Sequence, residues 1–490
     1  MKIRGLAFLA LTSILARTIA FFNIELGTQD YTNGYFTKIG LGYADFLDYC
    51  VLKNSGVNYH MTKNSDFPPL ILSLFSGICD WTLKTDAYTE ASGYYYRGRL
   101  FMFYIIAIIE VFQGIIIYNY LCKSYLVSTE FNPKLVGNTV YENYVFYLVA
   151  FYWLNPISIY SSISLSIVSS VEFTILLLLL LLSLDSESKR AVSISFAFLI
   201  YISPRKYISL FPLLVLNNLK LNELDLNEKM QKYAIISGEK KAILSVIKCH
   251  YNDLKSSIVN VINVYNLKSL CNFTVSFLVT LTALHTFSCF LVAKMDPFDY
   301  YWRFIYSHFS FTENRDLAPY LNFYWFTMTT IMEKFKFYIQ TVLSSFLILY
   351  SVNILIGFRD IVHKAIISQF FLINVLGESP TLLNYIVVLM FISFDYFTQF
   401  ESKFEFLFSI AFVTWFFTFS LAFLIRSTWI TQNRLDSNIF YFLNFFGNTA
   451  FVFIIGEWNK NTFNYLVKEQ KHRSLISKSS LKINHKCKTE

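Results

Sequence analysis

Six ionisable side chains sit inside or at the edge of long apolar runs: Arg17, Glu110, Glu172, Arg205, Lys206 and His285. An unpaired charge in hydrocarbon costs about 2.5–3.5 kcal/mol on insertion scales, so such groups pair across helices, snorkel to the interface or serve a polar path. Pro204, Arg205 and Lys206 are consecutive and read as a broken helix whose charges face a polar cavity or the interface. A second group is rich in amides: Asn433, Arg434, Leu435, Asp436, Ser437 and Asn438 lie between two apolar runs, and Asn444 and Asn448 lie one turn apart in the next. Such groups at a membrane edge suit a polar lipid head group, Asn donating to phosphate or hydroxyl and Asp accepting from an amine. The same residues also suit a turn with a helix N-cap at Asp436 or Ser437, and buried amides that bond a neighbouring helix. A third group is the four aspartates Asp30, Asp45, Asp48 and Asp66 in one polar stretch. They could supply the acid of a transferase fed by dolichol-phosphate sugars, or simply cap helices and solvate a loop.

Other chemistries find no support. The chain lacks a Gly-rich phosphate loop, HExxH, GxSxG and a strict Asp-x-Asp for holding a metal against a diphosphate. Its seven cysteines (Cys50, Cys79, Cys122, Cys249, Cys271, Cys289 and Cys487) show neither metal-ligand spacing nor a disulfide framework, so no metal site and no cofactor are expected.

The elements that must position these groups follow from composition. Of 490 residues only 15% are charged and 55% are hydrophobic, with 52 Phe and 34 Tyr. A soluble domain carries about 25% charged residues, so most of this surface cannot face water. Apolar runs occupy Gly5–Phe22, Pro69–Trp81, Leu100–Leu121, Tyr144–Leu184, Ala191–Leu216, Phe273–Val292, Phe337–Phe358, Ile366–Leu376, Thr381–Phe394, Phe404–Ile425 and Ile439–Gly456. About 20 residues cross a bilayer, so Tyr144–Leu184 must hold two spans, with a break expected near Ser169–Glu172. The expectation is a single all-α polytopic membrane domain over 1–490, with about ten to twelve transmembrane helices and lumenal interfacial helices. Residues 23–66 form the first lumenal segment, 217–256 a polar extramembrane connector, and 295–335 an aromatic segment lying in the lumenal interface.

The net charge is +8, and the stretch 459–490 holds eight basic residues against two acids, +6 of that total. Clustered lysines mark the cytosolic side, so 459–490 is expected to be a basic cytosolic tail. Its end, with Lys486 and Lys488, resembles a dilysine retrieval signal of endoplasmic-reticulum membrane proteins, or else a polybasic segment facing lipid.

Taken in order, several motifs resemble the PIG-U family, the multi-span subunit of the glycosylphosphatidylinositol (GPI) transamidase. In the first half these are Arg17, Gly56-Val57 followed by Pro69-Leu70, and Trp153-Leu154-Asn155-Pro156. In the second half they are Asp316-Leu317-Ala318-Pro319, Tyr324-Trp325-Phe326, Pro380-Thr381, and Ser437-Asn438 with Tyr441 and Asn448. Departures are local: Asn58-Tyr59-His60 and Asp66-Phe67-Pro68 replace the family's residues after Gly-Val and before Pro-Leu, Asn384 stands for an acid, and Asp436 for an Asn.

The resemblance implies a bundle like that of the GPI mannosyltransferases, the GT-C type, without their catalytic acids. It implies a non-catalytic endoplasmic-reticulum subunit, working with a cysteine-protease subunit and accessory membrane subunits, that binds the GPI lipid and presents it to the C-terminus of precursor proteins. Asp436, Ser437, Asn438 and Asn448 would then serve the GPI head group, and Arg17, Asn155, Pro156, Pro380 and Thr381 would be intramembrane polar or structural positions. The competing readings are a dolichol-phosphate-mannose-dependent GPI mannosyltransferase using one first-segment aspartate, and a transporter, which would need a second helix break to match Pro204.

Overall fold

The computed structural model describes residues 2–27, 70–71, 91–131, 138–163, 167–184, 189–218, 264–292, 327–328, 330–358, 361–377, 382–398, 406–430 and 437–486. All regular elements among the described residues are helices. The first half contains α1 (Lys2–Gly27), α2 (Ala91–Phe131), α3 (Asn138–Leu154), α4 (Pro156–Ile163), α5 (Ile167–Ser183), α6 (Lys189–Ile202) and α7 (Pro204–Tyr207). A 3-10 turn at Ile208–Leu210 leads from α7 into α8 (Phe211–Asn218). The second half contains α9 (Val264–Val292), α10 (Glu333–Gly357), α11 (Val362–Leu376), α12 (Leu382–Thr398), α13 (Phe406–Ile430) and α14 (Ser437–Lys486).

Five stretches are long and apolar enough to cross a membrane: Arg4–Asn23, Leu100–Tyr125, Leu270–Ser288, Lys334–Ile354 and Asn438–Asn464. Ile167–Ser183, Val362–Leu376, Leu383–Tyr396 and Phe408–Ala422 are shorter apolar helices. The chain is thus a multi-pass, all-helical membrane protein. The segments 23–66, 217–256 and 295–335 fall almost wholly outside the described residues.

The long run from Tyr144 to Leu184 breaks elsewhere than expected. Ser169–Glu172 lie inside α5, and the run is divided at Asn155. Local chemistry at Asn155-Pro156 explains the division. Pro156 has no N–H to give to the carbonyl one turn back, and Asn155 Oδ1 takes the N–H of Ile157 at 2.9 Å, capping α4. The break expected at Pro204 is present: Ser203 leaves helical geometry at φ −143°, ψ 75°, and α7 starts with the proline at its head.

Lipid is as apolar as a leucine side chain, so packing and interhelical hydrogen bonds must hold these helices together. The last four helices meet around Phe451, which is fully buried. Its ring lies 4.5 Å from Phe371 of α11, 4.9 Å from Tyr385 of α12 and 5.4 Å from Trp415 of α13. Close approach of α13 and α14 depends on Gly447, where an added Cβ would sit 2.9 Å from Thr418 Oγ1 and 3.0 Å from the Phe419 ring. The two halves join where Tyr120 meets Phe391 at 5.1 Å, Phe173 stacks on Phe370 at 6.3 Å, and the Tyr144 hydroxyl donates to the Ser393 carbonyl at 3.3 Å.

Candidate functional site

Arg17, fully buried on α1, is the centre of the first polar cluster. Its Nε donates to Glu110 Oε2 on α2 at 2.9 Å, its Nη1 to the Trp153 carbonyl on α3 at 2.9 Å, and its Nη2 to Ser158 Oγ on α4 at 2.6 Å. Nη1 also donates to Ser13 Oγ, and Ser161 donates to Glu110 Oε1 at 2.5 Å. The helix break makes this possible. In an unbroken helix the Trp153 carbonyl would accept from Ile157 N, but Asn155 Oδ1 has taken that donor, and the guanidinium replaces it. Arg17 and the Asn155-Pro156 pair, far apart in sequence, therefore form one structural unit, with each charge paired and hydrogen-bonded as buried ions require.

Glu172 plays the corresponding part at the second break. It accepts from Lys206 Nζ at 2.7 Å, from the Tyr207 hydroxyl at 2.6 Å and from Ser203 Oγ at 3.1 Å. The broken helix thus directs Lys206 onto the acid of α5. Arg205 lies beside Lys206 on α7, and His285 on α9 packs edge-on against Tyr201 at 5.3 Å.

The C-terminal bundle holds two polar layers along α14. Ser437, Tyr441, Asn444 and Asn448 recur at the four-three-four spacing that lines one side of a helix. Asn448 Nδ2 donates to the Asn444 carbonyl at 2.8 Å and to Asn444 Oδ1 at 2.6 Å, while Asn448 Oδ1 accepts from the Tyr385 hydroxyl at 3.2 Å. Tyr385 also reaches the Asn374 carbonyl at 3.1 Å, and Asn384 Nδ2 donates to Asn374 Oδ1 at 2.9 Å. Asn448 is buried in a layer joining α11, α12 and α14.

Beyond Phe451 lies the second layer, which inspection of the sequence missed. Lys364 of α11 pairs with Asp395 of α12 at 3.2 Å, and Trp458 Nε1 of α14 donates to the same carboxylate at 3.0 Å. Asn459 bonds Ser368 at 2.9 Å and Asn461 bonds the Tyr396 hydroxyl at 3.0 Å. Lys364 stands just ahead of its apolar run and Asp395 just after its own, where a charge ordinarily faces the interface. Only the folded bundle brings them together.

At the start of α14 the head-group candidates divide. Ser437 opens the helix and Asn438 is exposed, while Asp436 lies outside the described residues. Ile439, Phe442, Phe445, Phe446 and Phe453 are exposed along the same helix, so an apolar aromatic face follows directly from Asn438. Pro380, Thr381, Lys488 and the aspartates Asp30, Asp45, Asp48 and Asp66 lie outside the described residues, and Lys486 is the last residue of α14. Among the described residues no group of three His, Cys, Asp or Glu side chains gathers to hold a metal.

A family model described as GPI transamidase subunit PIG-U matches residues 11–446. The chain belongs to the PIG-U family. Its Arg17 cluster, its Asn155-Pro156 break and most of its amide layer lie within the matched stretch, which ends two residues before Asn448. No curated protein gives a significant match. Membership makes the chain a PIG-U subunit of the GPI transamidase, acting with other subunits of that complex.

Proposed function

We propose that this PIG-U chain is the subunit that binds the GPI lipid and presents its terminal amine, while the bond chemistry belongs to a separate cysteine-protease subunit. In that division of labour a thiolate of the partner attacks a peptide carbonyl of the precursor protein, the C-terminal signal leaves as a protonated amine and a thioester forms; the ethanolamine amine then attacks that thioester, forming an amide and releasing the thiol. This chain contributes proximity and orientation. The observation that carries the reading is the build of α14. Its first turn offers Ser437 and an exposed Asn438, its outer face continues as exposed aromatics suited to acyl chains, and its inner face is pinned by the Asn448–Tyr385 layer. A rigid helix with a polar head and an apolar flank is what an amphipathic lipid needs.

The fuller reading includes about ten to twelve crossings in a GT-C-like bundle, residence in the endoplasmic reticulum and a cytosolic C-terminus. The basic composition of 459–490 supports the last of these.

Asn438→Ala tests the proposal. Surface display of GPI-anchored proteins is expected to fall several-fold, with complete GPI lipid and unprocessed precursor accumulating, while co-purification of the protease subunit stays at the wild-type level. Unchanged display would remove Asn438 from the lipid site. Lipids stalled one mannose short, with no protease subunit recovered, would turn the assignment toward a mannosyltransferase.

A further inference from the structure

The amide layer is built where three helix ends converge: the last turn of α11, the first turn of α12 and the opening turns of α14. Tyr385, buried in that first turn of α12, reaches both of the others. Its hydroxyl lies 3.1 Å from the Asn374 carbonyl and 3.2 Å from Asn448 Oδ1. The Asn374 carbonyl is one of the last four of α11, which the helix itself leaves without a donor. Asn384, next to Tyr385 in the chain, secures the same corner through Asn374 Oδ1, and Asn448 passes the bonding on to Asn444 within α14.

At about 100° per residue, Tyr441, Asn444 and Asn448 share a face of α14 about 60° wide. Asn438, Phe442, Phe445 and Thr449 are all exposed and occupy an arc of similar width, centred about 100° round the axis from that face. A rotation of α14 by that much, in one sense, would put Asn438 where the amides now meet Tyr385. The setting of the helix about its own axis therefore decides whether Asn438 faces outward.

We propose that Tyr385 is a positioning residue for the transfer reaction. By holding Asn448 against the end of α11, its hydroxyl sets the rotation of α14 at which Asn438 meets the lipid head group. This role rests on the reading of α14 as the lipid-presenting helix and adds the group that aims it. Ring packing alone leaves the angle loose: Phe371, Tyr385 and Trp415 meet Phe451 at interplanar angles of 53°, 58° and 26°. A hydrogen bond is stricter, because it weakens steeply once its angle falls below about 120°. In hydrocarbon no water replaces a lost partner, so each directional bond acts as a restoring force on the helix.

Tyr385→Phe keeps the ring, with its contacts to Phe419 and Phe451, and removes only the hydroxyl. The test uses the intact transamidase complex in phosphatidylcholine vesicles, with a precursor peptide and graded amounts of a GPI lipid bearing a terminal ethanolamine phosphate. In a parallel reaction hydroxylamine attacks the same thioester, giving a hydroxamate and the free thiol without using the lipid site. Hydroxamate release thus measures acyl formation alone. Tyr385→Phe is expected to raise the KM for the GPI lipid by about three- to tenfold, the effect of one neutral hydrogen bond, while hydroxamate release stays at the wild-type rate. Tyr396→Phe is the matched control. It removes the hydroxyl that accepts from Asn461 in the second layer, about 35 Å along α14 from Asn438, and should leave the KM unchanged. An unchanged KM in Tyr385→Phe, equal rises in the two phenylalanine variants, or a fall in hydroxamate release that parallels the loss of lipid transfer would overturn the role of Tyr385. Asn438→Ala, assayed beside them, separates the two ideas. A raised KM there with none in Tyr385→Phe removes the positioning role alone, whereas no effect in Asn438→Ala removes the lipid-presenting reading and the positioning role with it.

Discussion

At the scale of single residues, the Arg17–Glu110 pair shows what a buried charge in a membrane helix demands. Both side chains are at most 1% exposed, and each has further hydrogen bonds beyond the ion pair. Removing one partner strands the other, so Arg17→Met is expected to destabilise the detergent-solubilised protein by about 3–5 kcal/mol. Removing both, in Arg17→Met with Glu110→Met, should cost clearly less; thermal unfolding of the three proteins checks this, and a double variant no better than the single one would refute it. The individual charges were legible in the sequence because each interrupts an apolar run. Their pairing was not, since it depends on residues 93 positions apart. Lys364 and Asp395 were missed for a related reason: at the ends of their runs they look like ordinary snorkelling groups, and only Trp458, approaching from a third helix, reveals the site. Conversely, Asn448 was legible as a polar intramembrane residue, but its bond to the Tyr385 hydroxyl, 63 positions away on another helix, was not.

At the scale of elements, breaks and close approaches determine where functional groups point. The Pro204 break was legible because a proline inside an apolar run removes a helix hydrogen bond and clashes with the carbonyl one turn back. The division at Asn155 was not placed correctly, because run length shows that a break is needed without showing where. Two glycines of α14 give a matched experiment. Gly447 is wedged against Thr418 and Phe419, so Gly447→Ala should force α13 and α14 apart at a cost of about 1–3 kcal/mol. Gly456 has open space around its Cβ position, so Gly456→Ala should be neutral or gain up to about 1 kcal/mol of helix propensity. Thermal stability in the same detergent measures both. Equal effects at the two sites would mean that the helix pair is not held at Gly447.

At the scale of the whole molecule, the C-terminal bundle is registered by two polar layers with the aromatic hub of Phe451 between them. Asp395→Ala leaves the buried Lys364 without its counter-charge and Trp458 without its acceptor. The expected result is loss of about 3–5 kcal/mol, with α11, α12 and α14 becoming protease-sensitive together rather than one at a time. Limited proteolysis with time-resolved peptide mapping would show it, and sequential release would argue against a single cooperative unit. The opposite end of the fold carries a consequence for synthesis. Ser158, which completes the Arg17 cluster, follows it by 141 residues. At roughly 5 to 20 residues per second, the ribosome delivers that hydroxyl about 7 to 28 s after the arginine. During that interval α1 carries a guanidinium for which its final surroundings do not yet exist. The nascent helix must be sheltered at the insertion machinery or held with its charge at the interface, so departure of the first helix into lipid is timed by the emergence of the fourth.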